Sequence, residues 1–294
     1  MWFTFSILTI IAWGGSDLFS KQGTRPEDKF SHHRIVIIVG AVMGLHGLGY
    51  IMFTQTVFDP VSIIRYLPVS ALYIGSMAIG YAGLRYIELS VSSPICNSSG
   101  AVTAILCFVV LKQTMAPIQL LGVAVICVGI LLLSIFEKRK SGVVTDESDR
   151  KYTKSVIAIL FPILYCIIDG AGSFTDAWYL ENIMDESQAN LAYEFTFAIC
   201  GALSYLYLTR LRKEKFSFFK EKSFCAAAIC ETAGQFTYIY AMGDNAIVAA
   251  PMIASYSIFS VVLSRIFLKE KLSRSQYAAI GMVMMGIAIL GFFE

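Results

Sequence analysis

Two stretches of the chain decide its fold: SPICNSSGAVTAILCFVVLK at residues 93–112 and APMIASYSIFSVVLSRIFLK at residues 250–269. They lie 157 residues apart, and at that offset their prolines, their Leu-Lys ends and a serine coincide. The same offset aligns further pairs, namely Gly15-Ser16 with Gly172-Ser173, Gly44 with Gly201, Tyr81 with Tyr238, Gln119 with Gln276, and Gly129-Ile130 with Gly286-Ile287. Chance overlap of apolar stretches explains matched leucines but not matched proline, lysine and glutamine. The sequence therefore predicts an internal duplication.

The composition points to a membrane protein. Of the 294 residues, 56% are hydrophobic and only 15% are charged, whereas soluble domains have about 25% charged residues. The mean hydropathy is +0.67. A net charge of only +2 gives no indication of a nucleic-acid partner. The seven cysteines lie in apolar runs without a CxxC spacing, which argues against a disulfide framework or a zinc site.

Ten apolar windows are long enough to cross a bilayer, which takes about 20 residues. They are 2–20, 34–55, 66–85, 90–111, 117–136, 155–178, 188–209, 223–242, 246–268 and 275–293. We therefore predict an all-α integral membrane protein of ten transmembrane helices in two inverted five-helix repeats. The predicted repeats are 1–136 and 155–294, and the polar segment 137–154 is a predicted cytoplasmic linker.

Basic residues set the predicted orientation. They cluster in alternate links, while the other links hold only Arg65 and Lys112. By the positive-inside rule the basic links are cytoplasmic, so both termini face outward. Because five is an odd number, the second unit enters the membrane from the opposite side, an arrangement typical of secondary transporters.

The duplicated segments carry a family resemblance. Ser93-Pro94-Ile95 through Leu111-Lys112, and Ala250-Pro251-Met252 through Lys269-Glu270-Lys271, resemble the EamA-type members of the drug/metabolite transporter superfamily. The first copy departs from the family pattern after its apolar run, where Lys112-Gln113 stands in place of an acidic residue. The resemblance implies ten helices around a central cavity, lined by helices 1–4 and 6–9. It implies no particular substrate, since family members handle amino acids, nucleotide-linked compounds, sugar phosphates, amines and drugs.

Five carboxylates fall inside the predicted membrane windows: Asp17, Asp169, Asp176, Glu194 and Glu231. An ionisable group inside a membrane costs about 2.5–3.5 kcal/mol on insertion scales and normally faces a cavity or a partner. Arg265 alone cannot pair with all five. The surplus acids are therefore expected in a wet cavity, carrying protons, or beside a cation.

Asp169 and Glu231 are the leading candidates for a substrate or proton site, because both lie near the middle of a window. Asp169 shares a helix face with Ser173 and Asp176, and Glu231 shares one with Gln235 and Tyr238. The alternative interpretation is structural, with protonated carboxyls hydrogen-bonded between helices. Asp17 has a similar alternative as a helix-end ion pair with Lys21.

Further candidates for the pocket come from the duplicated segments and the aromatic residues. Asn97 and Ser98 follow Pro94, and a proline frees backbone carbonyls that a ligand can use. Tyr81 and Tyr238 are related by the repeat, and aromatic rings beside acids suit a cationic ligand through cation–π attraction. His46 is interpreted as a packing residue.

We predict from these features a secondary active transporter that works by alternating access in the cell membrane. Its expected cargo is a cationic or zwitterionic small molecule, with protons as the candidate coupling ion and membrane lipid as its surroundings. The sequence shows no catalytic motif, cofactor motif or metal motif. An exporter of amino acids or drugs is the alternative within the class, and a membrane-embedded enzyme or sensor is the alternative outside it. Both a monomer and a homodimer fit.

Overall fold

The computed structural model describes residues 1–24, 28–83, 96, 98–141, 156–267 and 273–292. These residues form helices and contain no strand. The helices are α1 Trp2–Gly23, α2 Ser31–Thr54, α3 Val61–Arg65, α4 Leu67–Gly83, α5 Ser99–Leu106, α6 Pro117–Ser141, α7 Val156–Asn182, α8 Glu186–Leu206, α9 Lys222–Ile253, α10 Tyr256–Phe267 and α11 Arg274–Phe292. A π-helical turn extends α5 over Cys107–Leu111 and another extends α8 over Tyr207–Leu211, while Phe218–Lys220 forms a short 3₁₀ turn.

Polar side chains lie inside the bundle and apolar ones cover much of its outside. Asp176 and Glu194 have no exposed surface, whereas Leu45 is 71% exposed and Leu203 is 61% exposed. In water this distribution would leave large apolar patches uncovered. A hydrocarbon surrounding explains it, because lipid solvates the apolar exterior and helices satisfy their own backbone hydrogen bonds.

Within the described residues, four helices are long and apolar enough to cross a membrane. They are Trp2–Gly23, Ser31–Thr54, Glu186–Leu211 and Arg274–Phe292. A bent pair, Lys222–Ile253 with Tyr256–Leu263, also passes when taken together, with 44° between its two parts. The prediction of an all-α membrane protein is therefore confirmed at the level of several apolar helices.

Helix α1 packs antiparallel along the first part of α9. Asp244 accepts a hydrogen bond from the backbone N–H of Trp2 at 2.8 Å, close to one end of the pair. At the other end, a Cβ added to Gly23 would lie 2.6 Å from the ring of Phe224. The ends of α1 and α9 that carry Lys21 and Lys222 therefore lie on the same side of the bundle.

The chain reverses direction at Asn245, inside α9. Asn245 has non-helical backbone angles (φ −158°, ψ 75°). Trp13 packs on Gly234, and its ring centroid is 5.6 Å from that of Tyr256. In an unbroken helix, residues 234 and 256 would be about 33 Å apart at a rise of 1.5 Å per residue. Residues 222–244 and 246–253 must therefore run in opposite directions along α1.

Glycines allow the closest helix contacts. A Cβ on Gly40 of α2 would lie 2.6 Å from the carbonyl oxygen of Phe197 and 3.0 Å from the Cα of Gly201, both in α8. The backbones of α2 and α8 therefore touch. In a membrane, such close contact through small residues replaces the hydrophobic driving force that water would supply. The other main pairs are α4 with α7, α5 with α7, and α6 with α11.

Some predicted features fall outside the described residues. Asn97 and residues 142–154 of the predicted linker are among them, as are the side chains of Tyr81 and Arg265. Helix α6 continues to Ser141 before that gap.

Candidate solute-binding cavity

A cavity of about 180 Å³ lies between α1, α4, α5, α7 and the two parts of α9. Three of the five carboxylates noted in the sequence, Asp17, Asp169 and Glu231, line it. No lysine, arginine or histidine of the described residues lines it. The described part of the wall therefore presents negative or protonated acids to whatever enters, without a basic side chain to balance them.

Glu231 and Asp17 form one acidic wall on facing helices. Ser16, next to Asp17 in α1, donates a hydrogen bond to Glu231, and the two carboxylates are near enough to repel each other when both are charged. Ser260 of α10 donates to Asp17 Oδ2 at 2.7 Å. Each carboxylate thus has a single side-chain hydroxyl among the described residues as its hydrogen-bond donor. Since a carboxylate has about four acceptor sites, both retain capacity for a ligand.

Asp169 of α7 is held more tightly. Its Oδ1 accepts a hydrogen bond from Ser76 at 3.1 Å, and Ser99 and Tyr165 donate to the same carboxyl. Three donors from α4, α5 and α7 therefore converge on it. This arrangement joins three helices, so Asp169 has a structural role in addition to facing the cavity.

Aromatic rings form much of the remaining wall. Trp13 stacks at an angle on Tyr238 with 5.0 Å between ring centroids and meets Tyr256 edge-on. Tyr73 meets Tyr193 and Tyr238 edge-on at 6.0 and 6.1 Å. The negative face of an aromatic ring attracts a cation, and so does a charged carboxylate. A wall that combines both therefore attracts a cation by two mechanisms.

Two residues that line the cavity carry a nitrogen donor without a hydrogen-bond partner among the described residues. Gln235 is 4% exposed, and its Nε2 makes no hydrogen bond within the described structure. The indole Nε1 of Trp13 is likewise buried without a partner. A buried donor left unpaired costs about 1–3 kcal/mol, so each such group calls for an explanation.

Asp176 does not line the cavity. It is fully buried and accepts a hydrogen bond from Tyr66, which is itself fully buried, and another from Tyr73 at 3.3 Å. Tyr73 also shares a 2.5 Å hydrogen bond with Tyr238. Asp176 lies seven residues after Asp169 along α7, about 10 Å farther from the Val156 end. We call Tyr66, Tyr73, Asp176 and Tyr238 the tyrosine–aspartate cluster.

Glu194 and His46 form a second pair, away from the cavity, in which Glu194 is fully buried and His46 is partly exposed. His46 Nδ1 lies 2.8 Å from Glu194 Oε1 and 3.0 Å from Oε2. Asn190 donates to the same carboxyl at 3.0 Å. The pair bridges α2 and α8. The interpretation of His46 as a packing residue overlooked this partner, because residues 46 and 194 are far apart in sequence.

Of the two residues predicted next to Pro94, Asn97 lies outside the described residues and Ser98 lies beside the cavity. Ser98 directly precedes α5, and its carbonyl oxygen accepts a hydrogen bond from the N–H of Ala101 at 3.1 Å. The following residue, Ser99, lines the cavity, as does Tyr256, which the 157-residue offset pairs with Ser99. The 157-residue offset therefore indicated the right region of the chain, but the predicted Ser98 lies one residue before the cavity-lining Ser99.

Sequence reasoning missed most of the aromatic and hydroxyl residues of the wall. Trp13, Tyr73 and Tyr193 were not singled out, because an aromatic residue in an apolar window has no distinctive pattern. A usable signal existed for Trp13, which precedes Asp17 by one helical turn. The group of three or more His, Cys, Asp or Glu side chains that a metal site needs does not occur among the described residues.

The apolar exterior and the polar internal cavity are features of an integral membrane protein. The sequence profile of the EamA-like transporter family matches residues 1–135 and 156–292. The chain therefore belongs to the EamA-like transporter family, within the drug/metabolite transporter superfamily. Its members are membrane proteins that transport small solutes.

Two other proteins are similar to this chain. An uncharacterised protein of Methanocaldococcus jannaschii is 32% identical over 131 residues, which cover 44% of this chain and 93% of that protein. One crystal structure superposes with a TM-score of 0.76 over 99% of this chain and 96% of the other, at 10% sequence identity. The second likeness concerns the fold alone.

Proposed function

We propose that this protein is a secondary active transporter of the cell membrane that moves a small cationic or zwitterionic metabolite by alternating access. The observation that carries the proposal is the cavity wall, with three carboxylates, several aromatic rings and no basic side chain among its described residues. An anionic solute would face uncompensated repulsion there. A cation would replace the water and protons that these acids otherwise need.

Reciprocal contacts support an inverted repeat of two five-helix units. In α6, a Cβ on Gly129 would lie 3.4 Å from the carbonyl oxygen of Ala279 in α11. In α11, a Cβ on Gly286 would lie 2.9 Å from the carbonyl oxygen of Gly122 in α6. Adding 157 to 129 and 122 gives 286 and 279, so one contact maps onto the other when the two halves exchange places. Such an exchange is what a two-fold axis between the halves produces.

Two further observations support ten spans. Because the chain reverses direction at Asn245, α9 contributes two passes although its residues are assigned to one continuous helix. The M. jannaschii relative is almost fully covered by 44% of this chain, so it corresponds in length to a single five-helix unit. We therefore retain ten spans in two inverted units as the proposed membrane topology.

Within this mechanism Glu231 and Asp17 bind the positive end of the solute, and Asp169 fixes the meeting point of α4, α5 and α7. A proton on Glu231 or Asp17 would take the place of the cation when the solute leaves. Solute and proton would then compete for the same carboxylates, which gives exchange of one for the other.

The test is counterflow into proteoliposomes with a panel of amines, amino acids and sugar phosphates. Glu231→Gln and Asp169→Asn keep the shape of each side chain and remove its charge, and Glu181→Gln is the matched control because Glu181 lies on α7 outside the cavity. We expect a cationic or zwitterionic compound to be transported, and transport to fall sharply in Glu231→Gln but not in Glu181→Gln. Transport of anions alone, or transport that survives both cavity substitutions, would overturn the proposal.

A further inference from the structure

Two links that are predicted to be cytoplasmic meet at the start of α2 and the end of α8, and Arg34 fastens them together. Its Nε donates a hydrogen bond to Asp28 Oδ2 at 2.7 Å, and its Nη1 donates to the backbone oxygen of Lys215 at 3.1 Å. The same Nη1 lies 3.5 Å from Glu221 Oε1. Arg34 is therefore committed to partners within the protein, and the α1–α2 and α8–α9 links form one surface.

Arg212, on the same surface, has no such acidic partner among the described residues. Its guanidinium carbon lies 5.2 Å from the ring centroid of Tyr207 and 5.9 Å from that of Phe30. Its Nε donates a hydrogen bond to the Tyr207 hydroxyl at 2.7 Å. A guanidinium has five N–H donors, and the two terminal nitrogens of Arg212 make no hydrogen bond or ion pair with a described residue. Since Arg212 is exposed, the rings and the hydroxyl fix the plane of its guanidinium and leave the outer edge accessible to a ligand.

Arg212 stands at the level where the hydrocarbon of a membrane gives way to lipid headgroups. It directly follows the apolar stretch Glu186–Leu211, and Phe30 directly precedes the apolar stretch Ser31–Thr54, both of which are long enough to cross a membrane. Leu203, about two turns before the end of the first stretch, is 61% exposed, as expected of a residue that contacts acyl chains. The predicted orientation places this level on the cytoplasmic side.

The charge around Arg212 favours an anion. Five further basic residues of the same stretch make no ion pair with a described residue: Arg210, Lys213, Lys215, Lys220 and Lys222. Of the two acids there, Glu221 lies beside Arg34, which leaves Glu214 alone to oppose the basic residues within 210–222. Clusters of four to eight basic residues at the cytoplasmic end of a membrane helix attract anionic lipids.

An apolar side chain in the middle of the basic link supports contact with lipid. Phe219 is 90% exposed and lies in the 3₁₀ turn Phe218–Lys220, next to a lysine. An exposed phenylalanine is poorly solvated by water, whereas apolar rings beside basic residues are typical of segments that lie in a membrane interface. The α8–α9 link therefore rests on the membrane surface, with the basic residues among the headgroups.

We propose that Arg212, held on the rings of Phe30 and Tyr207, binds the phosphate of an anionic phospholipid in the cytoplasmic leaflet. A planar guanidinium forms two parallel hydrogen bonds to phosphate oxygens, and it loses less side-chain freedom on binding when it is already held in place. The phosphate of a zwitterionic lipid is partly neutralised by the lipid's own ammonium group, so the basic surroundings of Arg212 select lipids with a net negative charge. The site lies outside the cavity and does not depend on the proposed transport function.

Four substitutions separate a phosphate site from a general positive surface. Arg212→Gln removes both the charge and the planar fork of donors. Arg212→Lys keeps the charge but not the fork, and Tyr207→Phe keeps the ring but removes the hydroxyl that orients Arg212 Nε. Arg210→Gln is the matched control, because it removes the same charge two residues earlier, from a side chain that has no ring or carboxylate partner in the described structure.

The experiment measures lipid binding to the purified full-length protein in detergent. Native mass spectrometry gives the affinity for phosphatidylglycerol and for phosphatidylcholine with identical acyl chains, and thermal melting in the presence of each lipid is an independent readout. Inorganic phosphate and glycerol 3-phosphate are added as competitors, because they carry the same phosphate chemistry without acyl chains. This arm distinguishes a lipid headgroup from a soluble anion.

In the wild type we expect phosphatidylglycerol to bind roughly tenfold more tightly than phosphatidylcholine, the ratio that one hydrogen bond to a charged group supplies. Arg212→Gln should bring that ratio close to one by weakening phosphatidylglycerol, and Arg212→Lys and Tyr207→Phe should give intermediate ratios. Arg210→Gln should leave the ratio within about twofold of the wild type, because a single exposed charge contributes little. The two soluble anions should not displace the lipid.

Three outcomes would overturn the proposal. Equal binding of the two lipids to the wild type means that the surface does not select an anionic lipid. A ratio that survives Arg212→Gln, or that falls equally in Arg210→Gln, means that the link is a diffuse positive surface without a site. Displacement of the lipid by inorganic phosphate or glycerol 3-phosphate means that the site serves a soluble anion. If Arg212→Gln does not fold, Arg212→Lys decides, since it keeps a cation beside both rings, and an unchanged ratio there refutes the role of the guanidinium.

Discussion

Removing the Tyr66 hydroxyl should open the side of the protein that the tyrosine–aspartate cluster closes. Tyr66 and Asp176 are both fully buried, and the Tyr66 hydroxyl donates to Asp176 Oδ1. Seen from the basic ends of α1 and α9, the cluster lies toward the far side of the cavity, which is the predicted outer side. An alternating-access transporter must break such a seal to expose its site outward.

The size of the effect follows from the bond that is lost. In Tyr66→Phe the Asp176 carboxyl keeps only the 3.3 Å bond from Tyr73 among the described residues. A hydrogen bond to a charged group contributes about 1.5–3 kcal/mol. If it forms only while the outer side is closed, its loss shifts the equilibrium between closed and open states roughly ten- to hundredfold toward open.

The assay is labelling of Cys96 from the outside with a membrane-impermeant maleimide, in vesicles of known orientation. A Cys96→Ala variant gives the background from the other cysteines, and the buried Cys107 reports unfolding. Tyr179→Phe is the matched control, since the Tyr179 ring packs on Tyr66 with 5.9 Å between centroids but has no bond to Asp176. The reasoning is refuted if Tyr66→Phe leaves outside labelling of Cys96 at the control level while Cys107 stays protected.

Three further predictions concern packing. Gly40→Ala should lower stability by about 1–3 kcal/mol, because its Cβ meets the immovable carbonyl of Phe197; Gly49→Ala, with open space around it, should be neutral in a detergent melting assay. His46→Leu should lower the melting temperature more than His46→Leu combined with Glu194→Leu, because the single change leaves a buried acid without its partner. Gly234→Ala should push Trp13 off Tyr238 and reduce solute binding measured by Cys96 protection, while Gly281→Ala, in open space, should not.

The family and the helical class could be read from the sequence because they depend on patterns that repeat. Apolar windows reflect the thickness of the bilayer, which is the same for every span. The 157-residue offset reflects a packing unit used twice. The reciprocal contacts of Gly129 and Gly286 involve pairs of residues that are related by this same offset. Such regularities survive in a single sequence without reference to a structure.

The site could be predicted only in part, because its geometry depends on which helices meet. Asp169 and Glu231 were found as charges in apolar windows, and both line the cavity. Asp176 has the same sequence signal and is buried in the tyrosine–aspartate cluster instead. Whether an acid lines the cavity or is buried in the cluster depends on how α1 pairs with α9 and how α4 pairs with α7. No local sequence pattern specifies these helix pairs.

The glycines at helix contacts and the carboxylates inside the membrane windows differ in how they follow the duplication. At the 157-residue offset, the carboxylate positions Asp17, Asp169, Asp176, Glu194 and Glu231 correspond to the apolar residues Phe174, Ala12, Phe19, Ile37 and Ile74. Some glycines at helix contacts are matched between the halves, such as Gly44 with Gly201 and Gly129 with Gly286, but none of these five acids is. Packing must be nearly equivalent in both halves if they are to exchange roles when the protein changes its open side. A solute with a single positive end, as proposed for this cavity, has no two-fold symmetry, so the groups that bind it must break the symmetry of the scaffold. All five acids depart from the repeat, and the three that line the cavity, Asp17, Asp169 and Glu231, therefore give it an asymmetry of charge that the duplicated scaffold does not have.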